Sequence, residues 1–279
     1  MALPAEQLVL TVAAAVMLGA ASSGAAHRAK YPHDKSSWLL QMWTVAIVII
    51  NAYVLTVRTV AAEDVRHVLT NRFDVTLVFA TTLTAVAACA QHLSRIRGLD
   101  GFLLPVAALF QVFAFVQVGE PLLRYDTATW FVVHQLSLIA AGTFLVCGGA
   151  GGAVYLVLWR ALRRKQPSPL FGHLAPLQAW ERFSRWNLVI GFVLLSFGIL
   201  TGICEATQSV RAEQATRQAW LTDAFIVGSF IVWGLYGAAI AASVFVPRFR
   251  GRRAAQLALG TGALLVFILL VVEKVSKVH

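Results

Sequence analysis

Eight runs of about twenty apolar residues set the limits on what this chain folds into. They lie at roughly 6–26, 38–57, 74–92, 101–118, 130–159, 187–206, 223–246 and 254–272. A helix of about twenty apolar residues is what crosses the ~30 Å hydrocarbon layer of a bilayer. Of the 279 residues, 58% are hydrophobic and 13% charged. A soluble domain carries about 45–50% apolar and about 25% charged residues. The expected fold is therefore all-α: a polytopic integral membrane helix bundle of about eight transmembrane helices. One membrane domain, 1–279, embedded in the lipid bilayer of a cell (inner or plasma) membrane, accounts for the chain. The first run ends in "GAASSGAAH", which resembles the small-residue cleavage zone of a secretion signal. Its front end lacks basic residues and carries Glu6, so a retained helix is expected.

No stretch between the runs is long enough for a soluble domain. The longest, 160–185, reads "RALRRKQPSPLFGHLAPLQAWERFSR". Pro167, Pro169 and Gly172 break any helix there. Pro176 is suited to the first turn of a new one. Leu174, Leu177 and Phe183 beside Glu181, Arg182 and Arg185 make that turn amphipathic. It is expected at the membrane interface, feeding the sixth span. No internal repeat is visible.

The net charge is +10. In a soluble chain that excess would suggest nucleic acid; here basic loops that fix orientation explain it more simply, and no nucleic-acid partner is expected. Of the 23 Lys and Arg residues, 15 fall in the loops after the first, third, fifth and seventh runs, and 8 elsewhere. Cytoplasmic odd loops follow, with both termini on the outer side. The three cysteines, Cys89, Cys147 and Cys204, lie in apolar stretches with no CxxC pair. They read as small hydrophobes and give no support to a disulfide framework, a zinc site or thiol exchange.

"CGGAGGA" at 147–153 has the look of a phosphate loop, but no strand precedes it and no Lys-Ser/Thr follows. Small residues in mid-membrane let helices approach closely. "WGLYGAAIAAS" at 233–243 reads the same way. Few ionisable residues lie within the runs, and Glu120 and Glu205 fall at their outer edges. That weakens an ion-coupled transporter, which uses buried carboxylates or bases.

There are seven histidines. By the charge count His27, His33, His92 and His173 face the cytoplasm, and His67, His134 and His279 the outside. His134, in "ATWFVVHQLSLIAAG", alone combines membrane depth with aromatic flanks, Trp130 and Phe131. Two readings stand: a boundary histidine satisfied by water or a neighbouring helix, or a ligand to a cofactor.

Three stretches carry a resemblance. They are "VVHQLSLIAAGTFLVCGGAGGAVYLVLWRALRRK" (132–165), "LAPLQAWERFSRWNLVIGFVLLSFGILTG" (174–202) and "RFRGRRAAQLALGTGALLVF" (248–267). Together they resemble the cytochrome c assembly (CcsA-like) membrane proteins, most closely the HemX/YpjD-like branch, over roughly 74–272. In that branch a histidine opens the fifth helix and Leu-Gln-x-x-Glu-Arg precedes the sixth. A Leu-x-Gly ends the sixth, and Gly-Arg-Arg-Ala opens the eighth. Here these are His134; Leu177, Gln178, Glu181 and Arg182; Leu200 and Gly202; and Gly251 to Ala254. "FLLPVAALFQVFAF" at 102–115 is similar to the family's fourth helix.

The resemblance implies a heme-handling or accessory protein of cytochrome c biogenesis. It would present or stabilise heme at the outer membrane face, beside other membrane subunits of cytochrome c assembly, without catalytic residues of its own. It implies His134 as ligand to heme iron, with Trp130 and Trp220 as aromatic walls. The chain departs from the pattern where the family's tryptophan-rich WGxYWxWD signature is expected. It has "ICEATQSVRAEQATRQAWLTDAFI", with Trp220 the one tryptophan, and Thr222 and Asp223 where a second outward histidine stands. Five-coordinate heme, a ligand from a partner, and no heme are all compatible with that. The alternative is a heme-free structural or scaffold subunit of a membrane complex; a small-molecule transporter comes third.

Overall fold

The computed structural model describes residues 5–30, 37–61, 69–92, 98–118, 129–165, 176–211 and 224–272. Eight helices dominate the described residues: α1 (Ala5–Lys30), α2 (Ser37–Ala61), α3 (Arg72–His92), α4 (Asp100–Val116), α5 (Thr129–Arg163), α6 (Leu177–Arg211), α7 (Ala224–Phe245) and α8 (Arg252–Phe267). A single 3₁₀ turn, Pro247–Phe249, separates α7 from α8, and α8 widens into a π-type turn at Ile268–Val272. No strand occurs among the described residues.

Seven of the eight are long and apolar enough to cross a membrane; α4, with 17 residues, is shorter. The eight expected runs thus correspond one to one with the helices, and the chain is a multi-pass membrane protein. Its exposed faces bear Val9, Val16, Trp38, Ile49, Trp186, Val193 and Phe245. Such faces are costly in water and are the ordinary surface of a bundle solvated by lipid. Hydroxyls within the helices close onto their own backbone: Thr11 to the Gln7 carbonyl at 2.6 Å, Thr84 to Ala80 at 2.8 Å, Ser196 to Phe192 at 2.8 Å. With no water at that depth, this is the nearest available acceptor.

Pro176 opens one unbroken 35-residue helix, Leu177–Arg211, because nothing between Leu177 and Gly202 interrupts the 3.6-residue pattern. The amphipathic turn that follows Pro176 thus feeds directly into the sixth span, as the sequence reading has it. Leu200-x-Gly202 does not end that helix, which continues for nine residues beyond Gly202.

The chain divides into two compact units. One comprises Met1–Arg124 with Val157–Trp180, the other Tyr125–Leu156 with Glu181–His279. In the first, α3 packs on α4 and α2, and α1 on α4 and α2. Val54, Phe73, Leu77 and Ala114 form its apolar centre, and Phe79 meets Phe110 edge-on, centroids 4.7 Å apart. Polar pairs cross this unit. Asn51 and Gln111 exchange two amide hydrogen bonds, 3.0 and 3.2 Å. Thr76 donates to Gln117 at 2.7 Å. Arg58 forks onto Asp74 through Nε and Nη2 and lies over the Phe73 ring. Each is a buried group satisfied by a partner on another helix, as lipid requires.

The second unit is built on glycine seams. A Cβ on Gly148 would sit 3.1 Å from Leu188, and one on Gly151 2.8 Å from Phe183. From the other side, Gly191 admits Leu145 and Gly198 admits Leu138. This antiparallel α5–α6 seam is tied by Ser184 Oγ, which donates to the Gly148 carbonyl at 2.8 Å. Gly149 and Gly152 face α8 instead. Gly149 lies against Gly262, backbone to backbone, and a Cβ on Gly152 would come within 2.8 Å of the Ala255 carbonyl. The "CGGAGGA" run is therefore a two-sided packing surface, as the small-residue reading anticipates. It lies mid-helix in α5, not in a strand-to-helix loop. On the lipid side, Trp233 of α7 stacks on Phe192 of α6 at 5.7 Å and donates from Nε1 to Ser196 Oγ at 2.8 Å.

Candidate functional site

His134 lies in the second turn of α5, five residues in. Its Nδ1 is 2.7 Å from the Gly198 carbonyl on α6. A carbonyl only accepts, so Nδ1 carries the hydrogen and donates it. The neutral ring then has its lone pair on Nε2, which makes no hydrogen bond with the described residues. A histidine that ligates a metal is held in this way, one nitrogen donating to a backbone carbonyl and the other left basic and aimed.

The helices explain why the ring can sit there. Gly202, one turn beyond Gly198 on α6, has no side chain. A Cβ on it would fall 2.7 Å from Cε1 and 3.0 Å from Nδ1 of His134. The two glycines at i and i+4 form a groove on α6 that receives the imidazole and, next to it, Leu138. Ser137 Oγ donates back to the His134 carbonyl at 2.7 Å and lies over Gly198. The ring is half-buried, so the groove fixes it without closing it off.

The other expected residues fare differently. Trp130 is one turn before His134 on the same side of α5 and is 43% exposed, whereas its neighbour Phe131 is buried. Trp220, Thr222 and Asp223 lie outside the described residues, as do Glu120, His33, His67, His173 and His279; the side chains of His27 and His92 are likewise outside them. Among the described residues no three His, Cys, Asp or Glu side chains converge as a metal site. Of the described residues, the His134 imidazole is the group here of the kind that commonly ligates heme iron.

Two features escaped the sequence reading. Glu205, placed by sequence at an outer edge, is buried on α6. The groove of Gly198 and Gly202 had a legible signal, the small-xxx-small spacing, but nothing local says which side chain fills it.

At the opposite end of this unit the remaining family-like motifs meet. Glu181 Oε1 accepts from the Gly251 amide at 3.1 Å and from Arg185 Nη2 at 3.2 Å. Tyr155 closes over Gly251, in a recess also lined by Ser184, Leu188 and Ala255.

The sequence model of one protein family, described as cytochrome C assembly protein, matches residues 8–279. The chain belongs to the cytochrome c assembly protein family. The match reaches α1 and α2 as well as the 74–272 region that carried the resemblance. Nothing similar is found among curated proteins or solved structures. Membership places this multi-pass protein in cytochrome c biogenesis.

Proposed function

We propose that the chain holds heme at the outer face of the membrane through His134 and presents or stabilises it for cytochrome c assembly. It would act beside other membrane subunits as an accessory, without catalytic residues of its own. The observation that carries this reading is the Nδ1–H bond from His134 to the Gly198 carbonyl. It fixes the ring and leaves Nε2 as a donor to iron. The residues fit the cargo. Imidazole is a common axial ligand of heme iron, Trp130 is exposed one turn away, and the Lys and Arg distribution puts the start of α5 outside. Heme held there would be the iron porphyrin that assembly attaches to apocytochrome c. The chain's part is to bind it, orient it and keep it at the outer face.

The test is an absorption spectrum. Purified full-length chain loaded with hemin should show a Soret band that His134→Ala loses while its melting curve stays close to wild type. His134→Gly with added imidazole should recover part of the band. Equal heme content in wild type and His134→Ala would end the reading. The second reading, a heme-free scaffold, is favoured by Thr222 and Asp223 standing where a second outward histidine is expected. It requires that wild type take up no heme at full loading.

A further inference from the structure

Glu205 is 5% exposed. It forms no ion pair or hydrogen bond with the described residues. A carboxylate held so far from water is disfavoured unless a positive charge faces it. An ionisable side chain within a membrane span is retained when a ligand or a functional step uses its charge.

Its place on α6 identifies what it faces. At 100° per residue, position 205 returns to within about 20° of Gly198 and about 60° of Gly202. It therefore continues the face that receives α5. Side chains on a helix lean toward its N-terminus and cover the preceding turn. For Glu205 that turn is the one at Gly202, where the His134 ring lies: a Cβ there would be 2.7 Å from Cε1 and 3.5 Å from Nε2. The nearest turn of α5 contributes Phe131, buried and apolar, which offers the carboxylate no partner. Among the described residues no Lys or Arg pairs with it, and on the reading given above the positive charge that would come to this groove is iron at Nε2.

We propose that Glu205 is the charge partner of iron held by His134, so that the site retains ferric heme in preference to ferrous heme. A ferric porphyrin core carries one net positive charge and a ferrous core none. A fixed carboxylate in a low-dielectric groove therefore stabilises the first and not the second. Glu205 is a positioning charge, not a ligand. The inference rests on the reading of His134 given above and adds which oxidation state the chain holds.

The experiment titrates ferric heme, and heme kept reduced with dithionite, into full-length wild type, Glu205→Gln and Glu205→Asp in detergent, alongside His134→Ala. Glu205→Gln should keep its ferrous affinity and lose about tenfold in ferric affinity. By the one-electron conversion that is a rise of about 59 mV in midpoint potential. Glu205→Asp, which retains the charge, should stay near wild type. Should Glu205→Gln fail to fold, Glu205→Met, apolar and of similar length, takes its place with the same expected loss. An unchanged ratio of ferric to ferrous affinity in a neutral variant whose heme still depends on His134 overturns the Glu205 assignment alone. Heme uptake unaffected by His134→Ala, or no uptake by wild type, overturns the His134 reading and this inference with it.

Discussion

Glu181 Oε1 accepts a hydrogen bond from the backbone amide of Gly251, 3.1 Å away and 70 residues along the chain. The contact joins the N-terminal end of α6 to the residue before α8. Gly251 holds φ +61° and ψ −119° there, a conformation that side chains resist, and the Glu181 carboxylate sits at the positive end of the α8 dipole. Two motifs that look functional in sequence, Leu-Gln-x-x-Glu-Arg and Gly-Arg-Arg-Ala, are thus halves of one structural clasp.

Removing the acceptor should show in stability. Glu181→Ala strands the Gly251 N–H and is expected to cost about 1–3 kcal/mol; Glu181→Gln keeps an acceptor oxygen and should cost less. Gly251→Ala should cost about 1–3 kcal/mol through backbone strain, with the Tyr155 hydroxyl 3.1 Å from the new Cβ. Thermal melting in detergent orders the three. A Glu181→Ala melt equal to wild type would refute the clasp.

The glycine seams make a sharper contrast. Gly152→Ala places its Cβ 2.8 Å from the Ala255 carbonyl, whereas Gly234 and Gly260 have no atom within 4 Å. Overpacking at Gly152 should destabilise by about 1–3 kcal/mol. Alanine at Gly234 or Gly260 should be neutral, or stabilising by up to about 1 kcal/mol through helix propensity. Nucleotide should leave every one of these melting temperatures unmoved; a ligand-induced rise would restore the phosphate-loop reading of 147–153.

Gly202→Ala tests the seat of His134. Its Cβ would meet Cε1 at 2.7 Å, so the ring must turn away from the Gly198 carbonyl. Losing that orienting bond is expected to weaken heme binding by about 10–100-fold. Gly191→Ala, which crowds Leu145 at 2.6 Å, should cost stability without that spectral change. Titration of hemin into both variants separates the effects.

Arg58 and Asp74 form a buried ion pair in the first unit, with side chains 10% and 0% exposed. Asp74→Asn leaves the guanidinium without its counter-charge and should cost about 3–5 kcal/mol. The double variant Arg58→Met/Asp74→Asn should recover part of the loss, because the guanidinium that Asp74→Asn leaves behind is gone. A double-mutant cycle by chemical denaturation measures the difference; a double variant no more stable than the single would show that packing, not charge, governs the pair.

Orientation is open to direct labelling. In a background without Cys89, Cys147 and Cys204, a cysteine at Thr127 should react with an impermeant thiol reagent outside intact cells. One at Ser168 should be protected. The reverse pattern would turn the start of α5, and His134 with it, to the cytoplasmic side.

The sequence by itself determined the eight helices and the membrane as their solvent. Both are one-dimensional consequences of lipid: a span needs about twenty apolar residues whose backbone satisfies itself, and that length is written in seven of the runs, the fourth forming a shorter helix of 17 residues. It also marked His134 and the small residues of 147–153 as unusual for their depth. Only the tertiary structure decided how they are used. Gly148 and Gly151 face α6 while Gly149 and Gly152 face α8, a division that depends on where two distant helices pass. The acceptor for His134 is 64 residues away, and Glu205, near the end of its span, is buried. Local composition sets solvent and helix length; the partners of a polar atom come from long-range packing, which no window of sequence contains.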